Sequence, residues 1–349
     1  GKGTTVPGTA REHDAPYCTE ATAFAITSTA KDDGGGGFPV ATEVAPALRF
    51  DGNGKLISKG GYLKNQLTIC RLRGPSRKTT SYGLQVFDRD NNVVLDDAEP
   101  ALCVSETISF SESNFYSYGT MSYINVPFSG DYASAPMVAV KTTQNLWMFR
   151  PTMYTHNGDK GISVVFPGNV KSDGEILVMT PHTATNRSQV YDTEDYGLKV
   201  MNANGDSVLD TRNRIVSVTD SIPANQFSTG TLSGVNRFNI VAGYDGVNPG
   251  RMDPNFESNL FQDEIVNVDD IAGNPDTDYI CLNGLSGRVI DPASIDLMKN
   301  YWRPCVRFSS AFEGRLNMAM AYAGQTAVLP DPEDYSMHPE GFVVVVRSL

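Results

Sequence analysis

Apolar and polar residues alternate along much of this chain, and turn-forming residues separate the alternating runs. Between Tyr82 and Phe87, Tyr, Leu and Val fall on one face, while Gly, Gln and Phe fall on the other. A period of two is the periodicity of a β-strand. The 32 Gly and 20 Pro residues, with only 19% charged residues, favour many short strands over long amphipathic helices. The pattern therefore predicts an all-β protein.

The alternating segment occurs twice, with a spacing of 114 residues. The motif residues are Tyr82, Gly83, Leu84, Val86, Leu95 and Asp96 in the first copy, and Tyr196, Gly197, Leu198, Val200, Leu209 and Asp210 in the second. A polar turn separates the two strands of each copy, and Asn204-Gly205 tolerates the positive φ of a tight hairpin. The repeat predicts a duplicated β-hairpin that opens two similar domains.

Later landmarks recur in the same order. An Arg-Pro pair at Arg150 is repeated at Arg303, and a strand that follows Gly174 is repeated after Gly341. The second copy has 39 additional residues before its Arg-Pro pair and 14 after it. We therefore predict two tandem β-sandwich-like domains with an N-terminal arm. The predicted boundaries are residues 1–78 for the arm or docking segment, 79–188 for the first sandwich and 189–349 for the second, with its acidic loop insertions.

The formal charge of −12 is concentrated in two stretches of the second copy. Residues 244–278 contain nine acids and one Arg, and residues 328–340 contain four acids and neither Lys nor Arg. Such segments repel a phosphate backbone, so nucleic-acid binding is not expected. We expect both stretches to lie at a subunit contact or an exposed tip. The candidate interaction residues are Asp263, Glu264, Asp269, Asp270, Asp331, Glu333 and Asp334.

Several kinds of site chemistry are also considered. Calcium bound by the acids between residues 263 and 270 is an alternative to a solvated surface or an intersubunit salt bridge. No G-x-S-x-G elbow, phosphate loop or H-E-x-x-H helix occurs, and the four His residues lack ligand spacing. The five Cys residues lack a C-x-x-C pair and are expected to be free, mostly buried thiols. The sequence thus predicts no enzyme activity, no cofactor and no metal site.

Two aromatic groups leave a carbohydrate role open. Residues 115–118 with Tyr123 form one group, and Tyr301-Trp302 forms the other. Such rings stack on sugars, but they also fill sandwich cores and interfaces. A pair of acids for glycoside cleavage also stays open, because their separation depends on the three-dimensional structure.

The Y-G-L-x-V hairpin with its closing L-D resembles a pattern in tail proteins of tailed bacteriophages, especially minor tail, tail-tip and fibre components. The resemblance implies small β-sandwich domains and a structural protein of the virion tail, made in the host cytoplasm. It also implies contacts with other virion tail proteins, a homo-oligomer such as a ring or trimer, and a host surface receptor as a further candidate partner. No apolar run approaches the ~18 residues of a membrane helix, so membrane insertion is not expected. The alternative is a carbohydrate-binding adhesin or polysaccharide depolymerase.

Overall fold

The computed structural model describes the chain in segments. These are residues 11–14, 23–29, 47–50, 55–59, 65–71, 85–87, 93–96, 101–118, 121–132, 136–144, 146–156, 159–167, 170–181, 197–202, 204–205, 207–211, 214–223, 274–290, 302–308, 316–322 and 336–348. Within these segments the regular structure consists of β-strands and one short 3₁₀ turn, Glu112–Asn114. The all-β prediction is confirmed for this part of the chain.

The strands are numbered here in chain order. The N-terminal segment contains β1 (Arg11–Asp14), β2 (Ala23–Thr29), β3 (Ala47–Phe50), β4 (Lys55–Lys59) and β5 (Asn65–Arg71). The first repeat contains β6 (Gln85–Phe87), β7 (Val93–Asp96), β8 (Leu102–Phe110), β9 (Tyr116–Tyr118), β10 (Met121–Pro127), β11 (Met137–Thr142), β12 (Met148–Phe149), β13 (Thr152–His156), β14 (Asp159–Pro167) and β15 (Gly174–Pro181). The second contains β16 (Lys199–Met201), β17 (Ser207–Asp210), β18 (Val216–Pro223), β19 (Asp278–Cys281), β20 (Leu285–Ile290), β21 (Trp302–Phe308), β22 (Leu316–Tyr322) and β23 (Ser336–Ser348).

The duplicated hairpin is present in both copies with the same register. In β6–β7, Val86 lies opposite Leu95, and in β16–β17, Val200 lies opposite Leu209. Both hairpins also contain a register shift directly after this apolar pair. Gly205 lies in the turn of the second hairpin at φ 82°, where glycine has no steric penalty. The two segments that share the sequence motif thus form hairpins of the same register.

The next pair of strands is duplicated in the same detail. β8 and β18 begin at the equivalent residues Leu102 and Val216, and they pair with β15 and with the C-terminal half of β23. A β-bulge passes over Ser105 in the first pair and over Thr219 in the second, again 114 residues apart. A bulge bends its strand and increases the local twist. Both copies therefore curve at the same place.

Strands of both repeats join in one sheet. Its order is β18-β23-β19-β11-β15-β8, with β20 also paired to β23. At its centre Ala139 of β11 lies opposite Cys281 of β19. Ala139 also faces Leu177 on β15, and Cys281 faces Val344 on β23, which are equivalent strands. Each repeat thus meets its own counterpart, as in a local twofold axis.

The two outer strands of this sheet also meet, at their beginnings. Cys103 is bridged to Ile215, and the N–H of Val104 donates a hydrogen bond of 2.8 Å to the carbonyl of Arg214. The sheet therefore curves until its edges touch. This arrangement joins the predicted domains, and two tandem sandwiches with a separate N-terminal arm are not confirmed.

A second sheet has the order β5-β2-β13-β14-β10-β9, so strands of the N-terminal segment lie beside strands of the first repeat. The β3–β4 hairpin, with Phe50 opposite Leu56, forms another sheet with β1. The principal core contains β15 and β23, whose apolar runs 176–179 and 343–346 are buried on both faces. Continuous apolar runs are typical of strands covered on both sides.

Candidate functional site

The acidic candidate residues lie outside the described part of the chain. This holds for Asp263, Glu264, Asp269, Asp270, Asp331, Glu333 and Asp334. The structure describes only the ends of the two acidic stretches, from residue 274 and from residue 336. At those ends Asp278 begins β19, and Glu340 lies in β23 opposite Ser286.

Asp278 corrects the prediction that the first acidic stretch lies wholly at a contact or tip. Its side chain is 0% exposed and accepts hydrogen bonds from Arg347 Nε at 2.6 Å and Nη2 at 3.1 Å. The N–H of Asn274 donates a third, at 2.8 Å. Burial raises the pKa of Asp278, but the hydrogen bonds from Arg347 and Asn274 outweigh it and hold the pKa below its usual range. This carboxylate fixes β19 to β23.

Charged groups also join the two repeats where β11 pairs with β19, a boundary that we call the central seam. Tyr279 donates its hydroxyl to Glu175 Oε2 at 2.8 Å, and Lys141 Nζ lies 3.2 Å from the same oxygen. The Lys141 ammonium lies 4.8 Å from the centroid of the Tyr279 ring, a cation–π contact. The hydrogen bond from Tyr279 lowers the pKa of Glu175, while burial and Glu175 raise the pKa of Tyr279 to about 12. This cluster is committed to internal contacts.

The repeat-motif residues build the hairpins, and in the second copy the side chains of Val200 and Leu209 serve packing. Val200 and Leu209 form a small apolar cluster with Ala101 and Ile215. The cluster lies next to the bridge between Cys103 and Ile215, where the edges of the sheet meet, and we call this boundary the outer seam. Asp210 is buried, and burial together with its negative charge raises the pKa of Cys103 to about 11. In the first copy Val86, Leu95 and Asp96 lie in β6 and β7, and in the second Gly197 and Leu198 precede β16. Tyr82, Gly83, Leu84 and Tyr196 lie outside the described residues.

The aromatic segment divides between the core and the surface. Phe115 is buried, with its ring centroid 5.9 Å from that of Phe110 and 5.4 Å from that of Phe166. Tyr116 points the other way, is 56% exposed, and stacks on Tyr123 with centroids 5.6 Å apart and ring planes at 30°. We call Tyr116 and Tyr123 the tyrosine pair. It lies at the edge of the second sheet, because β9 is that sheet's last strand.

An amide group is fixed in the turn that precedes Tyr116. Asn114 Oδ1 accepts hydrogen bonds from the N–H of Ser111 at 3.1 Å and from its hydroxyl at 2.9 Å. Phe115, between Asn114 and Tyr116, has an extended backbone at φ −83° and ψ 141°. Asn114 and Tyr116 are both exposed, and they lie on either side of the buried Phe115 in the sequence.

Other expected features are tested only in part. Cys103, Cys281 and Cys305 are buried thiols that form no disulfide, which confirms the expectation for these three. Among the residues that the structure describes, no group of His, Cys, Asp and Glu side chains is arranged to hold a metal ion. In the same residues no helix is long and apolar enough to cross a bilayer.

Sequence reasoning found the aromatic segment but missed the fixed amide of Asn114 and the seam residues Lys141, Glu175 and Tyr279. The Ser111 to Asn114 spacing is a local capping signal that could have indicated the amide. The seam residues carry no such signal, because they lie on strands far apart in sequence. No protein-family model, curated protein or solved structure matches this chain.

Proposed function

We propose that this chain is a non-enzymatic structural protein of a tailed-phage virion, in the tail tip, the minor tail or a fibre. The proposal rests on the duplicated Y-G-L-x-V…L-D hairpin, whose two copies have the same register and the same irregularity. That unit resembles those of phage tail proteins. The extensive core, in which β15 and β23 are covered on both faces, suits a load-bearing particle component.

The described carboxylates near the seams favour a structural role for those residues. Asp278 is held by Arg347, Glu175 by Tyr279 and Lys141. Each of these groups stabilises a contact between different strands. As parts of the same proposal, the chain is a homo-oligomer, a ring or trimer, and contacts other tail proteins.

Location in the particle is the direct test. Antibodies against the purified chain should label one end of the tail in electron micrographs of intact particles. Denatured particles should also contain the chain at a fixed stoichiometry. Purified particles that lack the chain would overturn the proposal.

The acidic insertions are tested by deletions that spare the described strands. The structure places the limits at residues 245–273 and 328–335, because Asn274 and Ser336 begin described segments. Each deletion protein should keep its cooperative thermal unfolding but lose incorporation or host adsorption. Loss of folding would mean that the insertions belong to the core.

The depolymerase alternative predicts turnover. Host polysaccharide incubated with the purified chain should gain no new reducing ends if the proposal is right. An increase that grows with time and protein concentration would replace the structural function with an enzymatic one.

A further inference from the structure

The exposed ring of Tyr116 has the surroundings of a ligand platform. Its lower face rests on Tyr123, and the buried Phe115 fixes the backbone next to it. A ring held from two sides loses little conformational entropy when a ligand covers its open face. Burial, followed by the neighbouring Tyr116, also raises the pKa of Tyr123, so the phenol beneath the exposed ring stays neutral near neutral pH.

The turn that leads to this ring is polar. Glu112, Ser113 and Asn114 directly precede Phe115 and are exposed. Protein partners anchor on wider apolar patches, whereas the exposed residues described in this turn carry hydrogen-bonding groups. A ligand with a small apolar face and many hydroxyls matches this arrangement.

The polar groups are also held in place. Asn114 uses Oδ1 for Ser111, so its Nδ2 group remains as the donor for a hydroxyl oxygen. The carboxylate of Glu112 is oriented by Gln144 Nε2, which donates to Oε1 at 3.2 Å, and a carboxylate accepts from hydroxyl donors. The backbone N–H of Glu112 is held in turn by Asp173 Oδ1 at 3.0 Å. A donor and an acceptor are thus held in the turn that precedes the aromatic plane.

We propose that the tyrosine pair, with Asn114 and Glu112 in the turn before it, is a binding subsite for one sugar ring of a surface polysaccharide. The apolar face of the sugar stacks on Tyr116, Asn114 donates to a ring hydroxyl, and Glu112 accepts from another. The inference rests on the proposed function, because it supplies the host-attachment role of a tail protein with a ligand class.

The test uses the full purified chain and a printed array of bacterial surface oligosaccharides. Wild type should bind a subset, and the strongest oligosaccharide should then be titrated by calorimetry against variants. Tyr116→Phe keeps the ring and should retain affinity, whereas Tyr116→Leu keeps apolar area only and should lose about tenfold. Asn114→Ala should also lose affinity. Leu198→Ala is the matched control, since Leu198 is equally exposed at 56% but lies on the hairpin, and it should bind as wild type.

The outcomes separate this inference from the proposed function. No array binding by folded wild type, or equal affinity of wild type and Tyr116→Leu, overturns the sugar subsite. If Tyr116→Leu instead abolishes incorporation into particles, the pair is a protein contact, and the structural function stands without the subsite. If the chain binds oligosaccharide through Tyr116 but is missing from purified particles, the subsite stands and the virion assignment fails.

Discussion

Ala139 and Cys281 lie opposite each other at the centre of the shared sheet, and each is the other's counterpart in the repeat. The same holds at the outer seam, where the bridge from Cys103 to Ile215 centres on the equivalent residues Leu102 and Val216. Two seams centred on equivalent pairs mean that the duplication made one closed unit from two self-complementary halves. The chain therefore contains, within itself, the kind of interface that symmetric dimers make between subunits.

A cysteine at position 139 tests the central seam. Opposed residues of antiparallel strands have Cα atoms about 4.5 to 5.5 Å apart, within the range of disulfides. Ala139→Cys should therefore form a disulfide with Cys281 under mild oxidation, found by mass spectrometry as one linked pair of peptides. Val138→Cys is the control, because adjacent side chains point to opposite faces. Equal linkage of both variants, or of neither, would contradict the register.

The outer seam should open before the central one. The side chain of Arg214 secures it, with Nη1 donating to Thr107 Oγ1 at 2.9 Å and Nε donating to Ser348 Oγ at 3.1 Å. In Arg214→Ala, hydrogen exchange of the Val104 amide should accelerate by about fivefold to tenfold, since two hydrogen bonds are lost. The Val138 amide, which donates to Asn283 at the central seam, serves as the internal reference and should not change.

The repeat and the strands were predictable because they depend on residues that are close together in the sequence. Hairpin register follows from the apolar pair Val200 and Leu209 and from a turn that contains Gly205. The joining of both repeats in one sheet was not predictable, because β11 and β19 are short apolar segments whose partners lie far away in sequence. The same reason hid the role of Asp278, which looks like surface charge until Arg347 is placed beside it.

The aromatic segment shows the same limit on a smaller scale. Sequence alone cannot separate a buried Phe115 from an exposed Tyr116, since alternation gives two faces without saying which one is covered. The tyrosine pair itself depends on the β9–β10 register, in which Tyr116 lies opposite Tyr123.

Gly174 has to be glycine because other atoms occupy the space of a side chain. A Cβ there would overlap the carbonyl oxygen of Lys141 and the ring of Phe110. Gly174→Ala should lower the free energy of unfolding by about 1 to 3 kcal/mol, as for other overpacked sites. Gly130→Ala is the control, since its Cβ would meet only the movable ring of Tyr132 at 3.2 Å. Equal unfolding midpoints in urea would contradict the close packing.

The ion pair of Asp278 and Arg347 should make stability depend on acid pH. The pKa of Asp278 is lowered in the folded chain, so its contribution is complete above the unfolded value of about 3.9 and is lost as the pH falls through the folded value. The Tm of the wild type should thus decrease as the pH is lowered below about 4. Asp278→Asn should lower Tm by roughly 3 °C or more near neutral pH and make the acid fall shallower, because the variant has no carboxylate there to protonate.

An exposed ion pair of the same length provides the comparison. Lys160 Nζ lies 2.6 Å from Asp131 Oδ1, as Arg347 Nε does from Asp278, but the Asp131 side chain is 87% exposed. Water screens such a pair, so Asp131→Asn should change Tm by less than about 1 °C. The difference between the two variants measures what burial adds to a contact of equal distance. If both substitutions shift Tm alike at every pH, Asp278 does not hold β19 to β23 through its charge, and the hydrogen bond from Asn274 becomes the principal constraint at that end of the strand.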